Sequence, residues 1–315
     1  MELTQKQGAF PSSSGMAEIR YRVWSPPDPR AGVQLVHGMA EHSGRYSAFA
    51  KALCAAGFSV WAMDLLGHGA SAPEEQALGY FGPDEGWKKL RHDINILSKL
   101  MRETLPPDAP IFLFGHSMGS FLARAYVERY GEELTGAIFC GTSGSNPATL
   151  AGILITRLVI AFKGCTHRSV LIDTVAFGHY NDKYPGKPRT KFDWLNSDPA
   201  EVDQYIADPF CGFLFTASGY LDLMQLLRSV NRRAWYHSLP HQLPMLLVAG
   251  EEDPVGSYGK GVQQVVRRLR ESGKKQTACH IFPNMRHEIL LEPGRASVFE
   301  TIIQWLNRQL EVPEA

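Results

Sequence analysis

Along most of the chain, short apolar runs alternate with longer stretches in which apolar residues return every three or four positions. Ile19–Trp24 alternates and then meets Ser25-Pro26-Pro27, which predicts a strand ended by a turn. Gly32–Val36 and Phe58–Met63 are apolar runs of strand length, and between them Ser47–Ala56 predicts a short helix stopped by Gly57. From Asp84 to Leu105, the residues Trp87, Leu90, Ile94, Leu97 and Met101 recur at helical steps, and Pro106-Pro107 closes that amphipathic helix. Ile111–Phe114 predicts a buried strand, FLARAYVERY a helix with Leu122, Ala125, Tyr126 and Arg129 at helical spacing, and Ala137–Cys140 another strand. After Ser143 the alternation stops, and it resumes near Leu243. PMLLVAG (244–250) and Thr277–Phe282 then predict strands, with a helix at Gly259–Glu271 between them. Val298, Phe299, Ile302, Ile303, Leu306 and Leu310 mark a closing helix.

Strand–helix alternation of this kind implies an α/β class, with a mostly parallel, doubly wound sheet covered by helices on both faces. The interruption predicts an inserted, mainly helical cap at 144–239, with the core formed by 16–143 and 240–315. Residues 1–15 are polar and small and are expected to be a flexible arm. Within the cap, LAGILITRLVIAF (150–162) is the most apolar stretch, too short to span a bilayer. It fits either a helix buried against the core or one that faces lipid, lining an acyl channel or touching a membrane surface. Phe210, Phe213, Leu214, Phe215, Tyr220, Leu221 and Leu223 could supply the wall of an acyl pocket.

Charge and cysteine content narrow the function. The 315 residues carry 32 basic and 32 acidic side chains with no long run of either sign, so there is no electrostatic footprint for nucleic acid. Five cysteines, scattered and never paired as CxxC, suit a reducing cytoplasmic setting and argue against a zinc site. No secretory h-region opens the chain.

The chemistry centres on IFLFGHSMGS (111–120), where strand, G-x-S-x-G and helix follow one another. That is the pattern of a nucleophile elbow, with small neighbours required at Gly115 and Gly119 and Ser117 held on a tight turn. A serine hydroxyl needs a base, and the base needs an orienting acid. In a doubly wound sheet both belong beyond the carboxyl ends of later strands. Asp253 follows the run 244–250 and is fixed from behind by Pro254; His287 follows the run 277–282. Glu251 and Glu252 are alternative acids, and His280 an alternative base that lies inside a strand pattern and reads as partly buried and structural. An oxyanion hole needs two backbone donors. Met118 N–H, next to the serine, is one, and Met39 N–H, after the strand that ends at His37-Gly38, is the other. The scheme calls for no metal and no organic cofactor. The cap residues 145–235 hold eight acids against ten bases, so no acidic excess awaits an ammonium group.

LVHGMAEHSGRY (35–46), DLLGHGAS (64–71), GHSMGS (115–120), the EEDPV around Asp253 and the NMRHE around His287 together resemble the monoacylglycerol lipase and lysophospholipase branch of the α/β-hydrolases. The resemblance implies an α/β-hydrolase fold, a triad of Ser117, Asp253 and His287, and Met39 and Met118 as oxyanion donors. It also implies a small ester substrate bearing an acyl chain. Ala40 departs from the glycine frequent at that place, and residues 198–223 look like the cap of bacterial members. His42, Ser43 and Arg45 are expected to brace the oxyanion loop, and Asp64 and His68 a turn.

Overall fold

A computed structural model describes residues 3–184 and 186–311. Eight strands form one sheet: β1 (Thr4–Pro11), β2 (Glu18–Ser25), β3 (Ala31–Val36), β4 (Phe58–Met63), β5 (Ile111–His116), β6 (Gly136–Cys140), β7 (Met245–Gly250) and β8 (Thr277–Phe282). Their spatial order is β1-β2-β4-β3-β5-β6-β7-β8. The pairs β1–β2 and β2–β4 are antiparallel and the rest parallel. Every residue of β3, β4, β5, β6 and β7 is buried, as expected for parallel strands covered on both faces.

Helices α1 (Ser47–Ala55), α2 (Gly86–Thr104) and α3 (Met118–Tyr130) connect the first strands. Between β6 and β7 the chain leaves the sheet for α4 (Ala148–Lys163), α5 (Val170–Phe177), α6 (Pro199–Ala207), α7 (Ala217–Ser229) and α8 (Arg233–Ser238). It then returns for α9 (Lys260–Glu271) and α10 (Arg295–Glu311). One core cluster lies on the face covered by α2, α3 and α9, and a second on the face covered by α1 and α10.

The expected flexible arm at 1–15 is corrected over its described part. Residues 4–11 form β1, paired throughout with 25–18, and Phe10 is buried with its ring 6.1 Å from that of Tyr21. The stretch looked structureless because an edge strand exposes most of its side chains, and one apolar anchor leaves little periodicity to read.

The helix α4 also resolves an open choice. Only Gly152, Ile153 and Thr156 are buried on it, whereas Leu150, Leu154, Leu158 and Phe162 are exposed, Phe162 at 83%. With Val170, Leu171 and Val175 of α5, also exposed, these residues present an apolar face to the outside. No described helix is long and apolar enough to cross a membrane.

Candidate active site

All five positions singled out in the sequence lie just beyond the carboxyl ends of parallel strands: Met39 after β3, Ser117 and Met118 after β5, Asp253 after β7 and His287 after β8. Ser117 adopts φ 52° and ψ −121°, a strained conformation for a residue with a side chain. Close packing enforces it. A Cβ on Gly115 would lie 2.2 Å from the Gly119 carbonyl oxygen, and one on Gly119 would lie 2.2 Å from that of Val36. The elbow therefore sits directly against the turn that carries Met39. Ser117 N–H donates to Cys140 O at 2.9 Å, which anchors the turn to β6.

Asp253 and His287 are buried, and His287 Nδ1 lies 2.9 Å from Asp253 Oδ1. The ring edge is not aligned for a straight N–H···O bond, and Nδ1 and Asp253 Oδ2 have no aligned partner among the described residues. Asp253 Oδ1 accepts from Val255 N–H at 2.8 Å, which orients the carboxylate. The His287 ring packs between Trp194, at 5.1 Å, and His116, at 4.7 Å. Of the alternatives, Glu251 is exposed, Glu252 lies 3.8 Å from Arg286, and His280 is exposed on the edge strand rather than partly buried. His280 shares a face of β8 with the buried Phe282, its ring 4.3 Å away, and the edge position of β8 leaves it exposed.

Met39 N–H and Met118 N–H have no protein acceptor among the described residues. Both residues line one cavity of about 390 Å³ with Ser117 and His287. Apolar lining comes from Phe121, Gly152, Phe213, Leu223, Met224 and Leu227. Of the aromatic and aliphatic residues expected there, Phe213, Tyr220 and Leu223 do line it. Phe210 is instead exposed, and Phe215 is buried among other aromatics.

The bracing loop does more than sequence reasoning assigned to it. Glu41, buried, accepts from Gly38 N–H at 2.6 Å, from Tyr46 Oη at 2.8 Å and from Arg45 at 3.0 Å; its Oε1 also lies 3.2 Å from His116 Nδ1. Arg45 then forks onto both oxygens of Glu288, the neighbour of His287. Burial pushes the Glu41 carboxyl up, but the His116 bond and the Arg45 charge outweigh it and hold the group well below the usual carboxylate range. Each member thus adjoins a loop that carries a candidate reactive group. The signal available for it was the spacing of Glu41, Arg45 and Tyr46 in one short loop. The partner Glu288 lies 243 residues from Arg45 and could not be paired from sequence.

Ser43 donates to Asp64 from both its N–H, at 2.9 Å, and its Oγ. Ala70 N–H donates to the other oxygen of Asp64, so Asp64 closes the turn as expected. Among the described residues, one group has the composition of a metal site: His42, Asp208 and Cys211, with ligand atoms within 4.8 Å of one another. Its donors are already committed. His42 Nδ1 accepts from Gly44 N–H, so Nε2 carries the proton and donates to Asp208 at 2.9 Å. The group works as a tie between the end of α6 and the loop after β3, alongside Tyr205 Oη donating to Ala40 O at 2.9 Å.

A mostly parallel eight-stranded sheet with an elbow serine, a buried Asp–His pair and free amides at the strand ends defines an α/β-hydrolase. The chain belongs to the family described as serine aminopeptidase, S33, which matches residues 27–294. It is 28% identical to a monoacylglycerol lipase of Mycolicibacterium smegmatis over 98% of this chain and 99% of that one. It is 26% identical to the human monoglyceride lipase over 91% and 86% of the two chains. Among solved structures, a thermostable carboxyl esterase from Bacillus coagulans in complex with glycerol superposes with a TM-score of 0.91 at 32% identity, over 97% and 99% of the two chains.

Proposed function

We propose that this protein hydrolyses carboxylic esters of acyl-bearing small molecules, of monoacylglycerol or lysophospholipid type, through an acyl-enzyme on Ser117. The observation that carries the reading is the convergence of strained Ser117, the His287–Asp253 pair and two unbonded amides on one cavity with an apolar wall. His287 takes the Ser117 proton as Oγ attacks the ester carbonyl, and the oxyanion is held by Met39 and Met118 N–H. Collapse breaks the carbonyl–alkoxy bond, and the alcohol departs with the proton from His287. Water, activated by the same base, then cleaves the acyl-enzyme to the acid and restores Ser117. Asp253 orients the imidazole and stabilises its charged form.

In this reading α4–α8 form the cap (144–239) over a core of 16–143 and 240–315, and the apolar wall takes the acyl chain. The exposed apolar face of α4 and α5 makes transient contact with the lipid surface that supplies the substrate. Five free thiols fit the reducing cytoplasm. The family's description offers a second reading, cleavage of an amide beside a free amino group. Against it, each acid lining the cavity already has a donor: Arg45 for Glu41 and Glu288, and Tyr220 for Asp173.

The test is fluorophosphonate labelling of wild type and Ser117→Ala, with monoacylglycerols, lysophospholipids, short-chain esters and aminoacyl anilides as substrates. Labelling and ester turnover that both vanish in Ser117→Ala are expected. An unlabelled wild type, or turnover dominated by the anilides, overturns the proposal.

A further inference from the structure

Two buried histidines flank the reaction chamber, and their partners differ in kind. His37 Nδ1 lies 2.8 Å from Gly38 O, an acceptor, and its Nε2 receives the N–H of Leu65 at 2.9 Å. One nitrogen donates and the other accepts, so the ring is neutral. His116 Nδ1 lies 3.2 Å from a Glu41 carboxylate oxygen and its Nε2 lies 3.3 Å from the His287 carbonyl oxygen. Both partners can only accept, so both bonds form only if both nitrogens carry protons.

Charge balance leads to the same state. Glu41 and Glu288 bring two carboxylates into a buried space with a single guanidinium, that of Arg45. One negative charge would remain unpaired there, and an imidazolium at His116 closes the quartet to neutrality.

We infer that His116 is held as an imidazolium at neutral pH that clamps the Met39 loop to the His287 loop, making it a positioning residue for the ester cleavage proposed above. Through Glu41 it fixes Gly38 N–H, one residue before Met39, and through Nε2 it fixes the main chain of His287 itself. It also directly precedes Ser117 in the chain. The groups that face it are Glu41, Arg45 and Tyr46 from the loop after β3, and His287 and Glu288 from the loop after β8, while His37 acts on its partner Glu41. Cys140 of β6 is the register partner of His116 in the sheet, and Asp253 lies near that thiol. Burial by itself disfavours the charged ring, but the Glu41 bond and charge, then Glu288 and the His287 carbonyl, outweigh it and raise the pKa above the ordinary histidine value. For His37, burial prevails and lowers it. The stability this charge contributes is complete below the ordinary histidine value of about 6.5 and is lost as pH rises through the raised one.

The experiment is two-bond proton–nitrogen correlation of 15N-histidine-labelled protein between pH 5 and 9, for wild type, His116→Asn and Glu41→Gln. The ring signal lost in His116→Asn is expected to show two protonated nitrogens above pH 7, and in Glu41→Gln that ring should lose its second proton at a lower pH and be neutral at pH 7. A neutral His116 ring at pH 7, or one that stays doubly protonated in Glu41→Gln, overturns the inference. In parallel, kcat for p-nitrophenyl butyrate should fall about ten- to a hundred-fold in His116→Asn with KM little changed. Wild-type kcat should decline as pH rises through the raised His116 value, and that decline should be absent from His116→Asn. An unchanged kcat with the pH profile intact refutes the positioning role. The inference rests on the hydrolase reading for its catalytic part only: a wild type that cleaves no ester defeats that reading, while the ring spectra still decide the charge.

Discussion

Helices α3 and α4 invert the relation between composition and burial. In α3, thirteen residues of mixed polarity, ten are buried, and they include Arg124 at 0% exposure. In α4, sixteen residues and the most apolar stretch of the chain, three are buried. The α3 helix follows the elbow and lies between the sheet and α7, so its position buries whatever it carries. Even a guanidinium is tolerated, because Arg124 donates to Ser143 O, Thr142 Oγ1, Val230 O and Asn231 Oδ1 and its ring neighbour is Trp235 at 4.5 Å. Burial still lowers its pKa to about 10. The α4 helix has the sheet on neither side and turns leucines outward at 150, 154 and 158, with Phe162 in the same stripe. Hydropathy shows that a surface avoids water; topology decides whether protein or something else covers it.

Substitutions at graded positions break or sharpen that contrast. At the head of α3, Ser117→Ala is expected to lower kcat by about 10⁴-fold or more without unfolding the protein, measured on a soluble ester beside a thermal melt. Leu122→Ala, in the same helix, should destabilise by roughly 2–5 kcal/mol in urea unfolding, whereas Leu154→Ala should cost less than about 0.5 kcal/mol. Equal costs would show that α4 is buried after all. Converting Leu150, Leu154, Leu158 and Phe162 together to serine should reduce turnover of dispersed monoacylglycerol several-fold and leave p-nitrophenyl acetate untouched. A loss on both substrates would make the stripe part of the folded core.

A pH-dependent effect lies where α7 meets α2. Asp222 of α7 accepts from Gly86 N–H at 3.1 Å, at the start of α2, and burial pushes its carboxyl up to about 7. Here the folded pKa is above the unfolded one, so the carboxyl destabilises the fold once pH passes the unfolded value near 3.8, increasingly until it ionises near 7. Asp222→Asn keeps an acceptor for Gly86 and should raise stability at pH 8 by up to about 4 kcal/mol, with little gain at pH 4. A variant less stable at both pH values would mark the carboxylate as a required cap.

Much of the core was legible. The elbow, the order Ser117, Asp253, His287 and the strands from β2 to β8 all follow from short apolar runs and turn residues, which are local properties. The edge strand β1 was not, because its partner β2 rather than its own pattern holds it. The Glu41–Arg45–Glu288–His116 quartet was half visible as a loop rich in polar residues, but its closing contacts join loops after β3, β5 and β8. The helices between β6 and β7 were readable as helical and unreadable in orientation, since an all-round apolar helix has no face to assign.

The quartet has one more consequence, for the ionic environment. The Debye length in water shrinks from about 10 Å at 0.1 M salt to about 3 Å at 1 M, and surface ion pairs weaken with it. Glu41, Glu288 and His116 are buried and the Arg45 side chain is 11% exposed, so counter-ions scarcely reach them. The geometry around Ser117 is therefore held by charges that brine does not screen. Pairs such as Arg20–Glu18 and Arg189–Asp203, on the water side, dissolve into the salt.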